Sequence, residues 1–150
     1  MRKIAVITGS RADFGLLRST IDAIDSHPDL DLQVIAAGAH VLPPDHTIEN
    51  VRAQVRVDAV VEMQEPGVFG RTADAVAVGR GISGFATAFE RLDPQVVLVL
   101  GDRVEAFAAA SAASIGGRIL AHVHGGDRAE GVADEAMRHA ITKLAHLHFA

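Results

Sequence analysis

The sequence predicts an α/β fold built on a doubly wound parallel sheet. Three observations carry that prediction. Short apolar runs recur without the alternation of a half-exposed strand, as in Ile4-Ala5-Val6-Ile7-Thr8 and Val96-Val97-Leu98-Val99-Leu100, so these strands are buried on both faces. The runs end at glycines and lead into segments of helical periodicity. Apolar content is 49%, drawn from Ala, Val, Ile and Leu, while aromatics are only 4%; such small branched side chains suit strands covered on both sides by closely packed helices.

The elements follow in order. Residues 4–8 form the first strand. The loop Gly9-Ser10-Arg11-Ala12 leads to Asp13, which is placed to N-cap a helix carrying Phe14, Leu17, Ile21 and Ile24 on one face. His27-Pro28 stops that helix. Residues 32–37 form the second strand, which ends in Gly38-Ala39-His40. A loop with Pro43-Pro44 and a short helix over 47–54 precede the third strand, 55–63, and the turn Glu65-Pro66-Gly67.

Residues 72–91 read as a long helix in spite of Gly79, Gly81 and Gly84, each of which costs about 1 kcal/mol against alanine. Close packing at the glycines and a break near 79–81 are the two explanations. Asp93-Pro94 ends the segment, and 95–100 form the fourth strand. An alanine-rich helix over 103–114 closes at Gly116-Gly117. A fifth strand over 118–124, a helix over 133–144 and a sixth strand over 146–150 complete the pattern. Right-handed crossovers bring the loops after the strands to one edge, where such sheets bind ligands.

Composition narrows the partners. The net charge is −5 and no basic stripe or aromatic platform is present, so nucleic acid is not expected. With no cysteine, disulfides and thiolate chemistry are excluded. Residues 4–8 are too short for the core of a signal peptide, and no apolar run nears the ~20 residues that span a bilayer. A cytoplasmic protein without a membrane partner is expected. At 150 residues the chain is one domain, and it stops inside an apparent strand with no polar tail, as a piece of a longer chain would.

Four groups of residues carry candidate chemistry. In the first loop, Gly9 and Gly15 are six apart, so the dinucleotide spacing is absent, and Ala37-Gly38 stands where a nicotinamide site wants an acid. No G-K-[ST] follows either. A helix N-terminus with Arg11 remains: either a diphosphate site with a bidentate cation, or a solvated loop arginine. Asp102-Arg103, with Glu105, lies just past the most apolar strand. Asp102 reads either as a helix cap or as a general acid or base beside a phosphate-binding Arg103.

His122-x-His124-x-x-Asp127 has the look of a metal-ligand cluster, with both histidines on one side of a strand and Asp127 and Asp134 as further donors. Two histidines two apart are weak evidence alone, and Gly125-Gly126 suits close approach of a ligand to the backbone. Asp134, Glu135, Arg138 and His139 share a helix; Asp134 and Arg138 form either an exposed i,i+4 pair worth about 0.3–0.5 kcal/mol or part of a site. His146 and His148 read as ordinary strand residues.

Taken together, these segments resemble one family. Thr8-Gly9-Ser10-Arg11-Ala12-Asp13-Phe14-Gly15-Leu16-Leu17 resembles the T-G-x-R-A-D-[YF]-G-L-L opening of the hydrolysing UDP-N-acetylglucosamine 2-epimerases of sialic and legionaminic acid biosynthesis. Leu98-Val99-Leu100-Gly101-Asp102-Arg103-x-Glu105 is similar to their L-V-L-G-D-R-x-E. His122-Val123-His124-Gly125-Gly126-Asp127 and Asp134-Glu135-x-x-Arg138-His139-Ala140-Ile141-Thr142-Lys143-Leu144 are similar to H-I-H-G-G-[ED] and D-[DE]-x-x-R-H-A-I-T-K-[LM]. Four motifs in the right order run nearly the full length. Asp127 stands where many members have Glu. Residues 41–56 match poorly, and no site is placed there.

The resemblance implies a Rossmann-like domain, residues 1–150, that is one half of a GT-B-type two-domain fold whose C-terminal, UDP-binding domain is absent. It implies hydrolysis of UDP-N-acetylglucosamine, or of a UDP-2,4-diacetamido-trideoxyglucose, to the manno-configured sugar and UDP through a glycal. Asp102, Asp127 and Asp134 match the acidic catalytic positions. Arg11 and Arg103 match diphosphate contacts, His124, Gly125 and Gly126 match substrate contacts, and Arg138 is placed to orient Asp134 or touch the sugar. No metal and no cofactor is implied. The expected partners are the UDP-sugar, the missing domain and a second copy of the full-length chain in a homo-oligomer. By itself the fragment is expected to be inactive. The alternatives are a metal-dependent hydrolase using His122, His124 and Asp127, and a non-catalytic sugar-nucleotide-binding module.

Overall fold

Six strands lie side by side, all parallel: β1 (Arg2–Thr8), β2 (Leu30–Ala37), β3 (Ala59–Val61), β4 (Val96–Leu100), β5 (Ile119–Val123) and β6 (Leu147–Phe149). Their order across the sheet is β3-β2-β1-β4-β5-β6, the doubly wound arrangement, with its switch point between β1 and β4. This computed structural model describes residues 1–126 and 133–150, and side chains throughout these except at 133 and 134. Among the described residues, five α-helices connect the strands: α1 (Arg11–Ser26), α2 (Ile48–Arg52), α3 (Arg71–Leu92), α4 (Val104–Ile115) and α5 (Ala133–Leu144). None of the described helices is long and apolar enough to cross a membrane.

The unalternating strands have the predicted cause. Ala5 and Ile7 of β1 and Val97 and Val99 of β4 pack under α3, α4 and α5; Ile4, Val6, Val96 and Leu98 pack under α1 and α2. With both faces covered, every position of a central strand is a core position. The third strand is the largest departure from expectation. It pairs only over Ala59–Val61, because Val55 and Val57 close the α2 side of the core ahead of the ladder.

The first helix starts earlier than Asp13. Ser10 is its N-cap, accepting from the Asp13 backbone N–H at 3.3 Å. Asp13 reaches back instead: its carboxylate accepts from the Gly9 N–H at 2.9 Å and from the Thr8 hydroxyl. Two orphan donors at the helix entrance are thereby satisfied reciprocally, as in a capping box.

Helix α3 runs unbroken through its three glycines, and close packing is the reason at two of them. A Cβ at Gly81 would lie 2.6 Å from Met63 Cε and 2.9 Å from Ala108 Cβ; one at Gly84 would lie 2.6 Å from Val61 Cγ1. At Gly79 a Cβ meets nothing within 4 Å. The three alanine substitutions therefore have different expected signs. Gly79→Ala gains up to about 1 kcal/mol from helix propensity. Gly81→Ala and Gly84→Ala overpack the core and lose about 1–3 kcal/mol. Urea denaturation of the three variants checks this; a stabilised Gly81→Ala would contradict the packing account.

Candidate active site

The loops after β1, β2, β3, β4 and β5 all emerge at one edge of the sheet, as parallel strands require. At the end of β4, Gly101 turns the chain at φ +75° and delivers Asp102. Arg103, not Asp102, is the N-cap of α4, and no side chain caps that helix. The capping reading of Asp102 is thus set aside. Its Oδ2 instead accepts from Arg138 Nη1 at 2.8 Å.

Arg138 comes from α5 and is buried, with its side chain only 5% exposed. The exposed ion pair expected of it does not describe it. Its companions are Asp102 at 2.8 Å and, more distantly, Glu135 at 3.8 Å. Among the described residues, Arg138 Nε and Nη2 have no hydrogen-bond partner. The Asp134 side chain and the whole of Asp127 lie outside the described residues, so these two expected catalytic positions are not described. A guanidinium buried beside a partly exposed carboxylate fixes that carboxylate's orientation through a charge-assisted bond.

Arg11 occupies the first turn of α1, exposed, at the positive end of that helix. It lines an open cleft of about 440 Å³ with Ser10, Ala12, Ala39, Pro44, Asp45 and Thr47. The segment 41–56, to which the sequence assigned no site, therefore forms a wall of the Arg11 cleft. Arg103 is half-exposed, and its Nε donates to Glu105 Oε2 at 3.2 Å.

The histidine pair does not converge. His122 sits in β5, buried; its Nε2 bonds the Gly101 carbonyl at 2.7 Å and its Nδ1 bonds Thr142 Oγ1 at 2.9 Å. A carbonyl only accepts, so Nε2 carries the proton and Nδ1 accepts from the threonine. Both ring nitrogens are engaged. His124 lies past the strand at φ +61°, exposed, so the two rings are not on one ligating side as strand alternation had suggested. Among the described residues, no three His, Cys, Asp or Glu side chains could hold a metal ion together.

The glycines after β5 divide. Thr142 Oγ1 and the His122 ring fill the space a Cβ would take at Gly125, so packing beneath the turn requires that glycine. Gly126 is exposed, and a Cβ there would meet only Ala150 Cβ, at 3.8 Å. Of the two, Gly126 is the one open to a ligand.

The structure adds His40, which the sequence left as a strand-end residue. It is fully buried between Thr8 Oγ1, 2.9 Å from Nε2, and Thr47 Oγ1, 2.8 Å from Nδ1. The Thr8 hydroxyl donates to Asp13, so its oxygen accepts from His40 Nε2–H, and Nδ1 accepts from Thr47. The connections after β1 and β2 are tied together by this chain of bonds. The available signal was a polar residue at the end of each of two apolar runs, Thr8 and His40; the partner Thr47, seven residues on, had none.

Burial holds both His40 and His122 below the ordinary histidine value of 6.5. Asp13 and Glu105 oppose this at His40; the Gly101 carbonyl and Asp102 oppose it at His122, while His148 and Arg138 reinforce it. The unfolded chain then takes up protons below pH 6.5 that the folded chain refuses. The stability from these neutral histidines is complete above 6.5 and is lost as pH falls below it, at up to about 1.4 kcal/mol per pH unit for each. Thermal melts from pH 7.5 to 5 are expected to show the midpoint falling, with a shallower slope for His122→Gln. A midpoint flat across that range would refute the linkage.

A doubly wound parallel sheet with a helix N-terminus and arginine after β1, and a carboxylate after β4 paired with a guanidinium from α5, defines a Rossmann-like domain. A family model described as UDP-N-acetylglucosamine 2-epimerase matches residues 22–150, and the chain belongs to that family. It is 38% identical over 151 residues to the UDP-N,N'-diacetylbacillosamine 2-epimerase (hydrolyzing) of Legionella pneumophila, covering 99% of this chain and 40% of that protein. It is 33% identical over 154 residues to a UDP-N-acetylglucosamine 2-epimerase of Neisseria meningitidis, covering 99% of this chain and 38% of the relative.

Among solved structures, the Neisseria meningitidis UDP-GlcNAc 2-epimerase bound to UDP-GlcNAc superposes with a TM-score of 0.85 at 22% identity, over all of this chain and 40% of that one. A Listeria monocytogenes chain described as a UDP-N-acetylglucosamine 2-epimerase superposes at 0.84 and 21%, over 99% of this chain and 39% of that one. These likenesses establish the fold, the Rossmann-like half of a GT-B-type architecture. The chain spans about 40% of the length of these relatives.

Proposed function

We propose that this chain is the N-terminal domain of a hydrolysing sugar-nucleotide 2-epimerase, which converts a UDP-2-acetamido sugar to UDP and the free manno-configured sugar. The observation that carries the reading is Asp102, delivered by Gly101 to the carboxyl edge and held by the buried Arg138 at 2.8 Å. Support for hydrolysis is comparative: the 38% identical Legionella pneumophila relative bears a name marked "hydrolyzing". The substrate class is UDP-N-acetylglucosamine or its 2,4-diacetamido-trideoxy counterpart.

The chemistry asks for two kinds of group. A base takes the C2 proton while the C1–O bond breaks and UDP departs with the bonding pair, leaving a C1–C2 double bond. Water then adds at C1, and a proton returns to C2 from the other face. No carbonyl neighbours C2, so the transition state depends on cation character at C1 and on a stabilised leaving group. Asp102, Asp127 and Asp134 together take the proton transfers and stabilise the C1 cation; Arg138 orients Asp102. Arg11, the α1 N-terminus and Arg103 take the diphosphate. His124, exposed after β5, and Gly126 contact the sugar, and Gly125 shapes the turn that carries them.

The rest of the substrate site comes from a second domain beyond residue 150, and the full-length chain works as a homo-oligomer in the cytoplasm. Alone, the 150-residue chain is expected to release no UDP at an enzyme-like rate. The test is incubation of the full-length protein with each UDP-sugar in D2O. Free UDP and a manno-configured sugar deuterated at C2 are expected. A product still bearing UDP would assign the non-hydrolysing reaction, and turnover abolished by EDTA would favour the metal-dependent alternative.

A further inference from the structure

One buried carboxylate at this edge has no role in the scheme above. Glu105, at the second position of α4, is 2% exposed. Its Oε1 accepts from Gln64 Nε2 at 3.1 Å and its Oε2 accepts from Arg103 Nε at 3.2 Å. The glycines ending β1 and β2 are cleared for it. A Cβ at Gly9 would stand 2.9 Å from Glu105 Cγ, and one at Gly38 would stand 2.7 Å from Cδ. Gly9 and Gly38 precede the two loops that line the Arg11 cleft; Gln64 follows β3 and Arg103 follows β4. Four successive strand-end loops thus close on a single side chain.

A buried charge is costly unless it is bonded, and an apolar side chain would fill the same cradle more cheaply. The carboxylate is retained where it meets an arginine, in the first turn of a helix that favours negative charge. A carboxylate on Nε fixes the plane of a guanidinium, which a neutral neighbour does more weakly. Gln64 shares the arrangement: its Oε1 is buried with no partner among the described residues, so its amide is oriented by Glu105 rather than by a second bond.

We propose that Glu105 is a positioning residue for the diphosphate half of the substrate, acting through Arg103 from a cradle cleared by Gly9 and Gly38, without touching ligand itself. This rests on the proposed function and assigns one of its determinants of affinity. It places the effect in ground-state binding of the nucleotide rather than in proton transfer.

The experiment uses the full-length protein, with UDP as the calorimetric probe and the UDP-sugar for kinetics. Glu105→Gln keeps the shape and removes the charge. Its Kd for UDP and its KM are expected to rise about 10-fold or more, the loss of a charge-assisted bond, while kcat changes less than about 3-fold. In an Arg103→Ala background the same substitution is expected to change Kd less than about 2-fold, because the residue it acts through is gone. If Glu105→Gln does not accumulate folded, Glu105→Asp, charged but one methylene too short for both partners, is read the same way.

Wild-type Kd in the single variant would overturn the proposal. So would an undiminished effect in the Arg103→Ala background, which would make the role purely structural. Wild-type protein that binds no UDP would instead overturn the proposed function, so the two failures are distinguishable.

Discussion

Asp102→Asn in the full-length protein is expected to lower turnover by about 10²–10⁴, the usual worth of a positioned acid–base group. The argument is geometric. Asp102 stands just past the well-buried β4, after a glycine at positive φ, with one oxygen committed to Arg138 and its side chain 28% exposed. Asparagine retains an acceptor for Arg138 Nη1, so the fold is expected to survive, but it has no basic oxygen. Affinity for UDP is expected to stay within about 3-fold, since the proposed function gives this group a role in proton transfer and none at the diphosphate. Stopped assays of UDP release, with C2 exchange in D2O, give the measurement. Turnover within tenfold of wild type would remove Asp102 from the proton-transfer scheme.

Arg138→Met is expected to have the largest effect on stability, a loss of about 2–3 kcal/mol. Breaking a buried ion pair by deleting one partner costs about 3–5 kcal/mol, and the lower figure applies because the Asp102 side chain is partly exposed and remains hydrated in part. Methionine replaces most of the volume, so the loss is electrostatic and not a cavity. Two acids, Asp102 and Glu135, are left without their shared cation. Urea denaturation reads the loss directly. In the Asp102→Asn/Arg138→Met double variant the loss is expected to be smaller than the sum of the two single losses, because each single variant already removes one charge of the ion pair. An additive pair would show that the bond at 2.8 Å contributes little.

Much of the site's location was legible before the structure. Apolar runs buried on both faces, each followed by a glycine and a helix, dictate a parallel sheet with its loops on one edge, and Arg11, Asp102, Arg103, His124 and Gly126 do stand on that edge. The errors were in pairing. Asp102 was placed as a possible cap because a carboxylate before a helix usually caps it; here the cap position fell one residue later, and an arginine 36 residues away claimed the carboxylate. His122 and His124 looked alike by alternation, but the strand ended between them, and a left-handed residue turned one ring outward. The His40–Thr47 bond has no signal in the sequence, because Thr47 belongs to no periodic pattern.

What the sequence by itself determined is therefore the local physics: where chain is buried on both faces, where glycine releases it, where a helix begins. Those depend on neighbours a few residues apart. Only the tertiary structure decided which groups meet: Arg138 with Asp102, Thr142 with His122, and Glu105 with Gly9, Gly38, Gln64 and Arg103. Those meetings depend on sheet order and register, which bring the ends of strands dozens of residues apart within a few ångströms. No local pattern records a distance across a crossover.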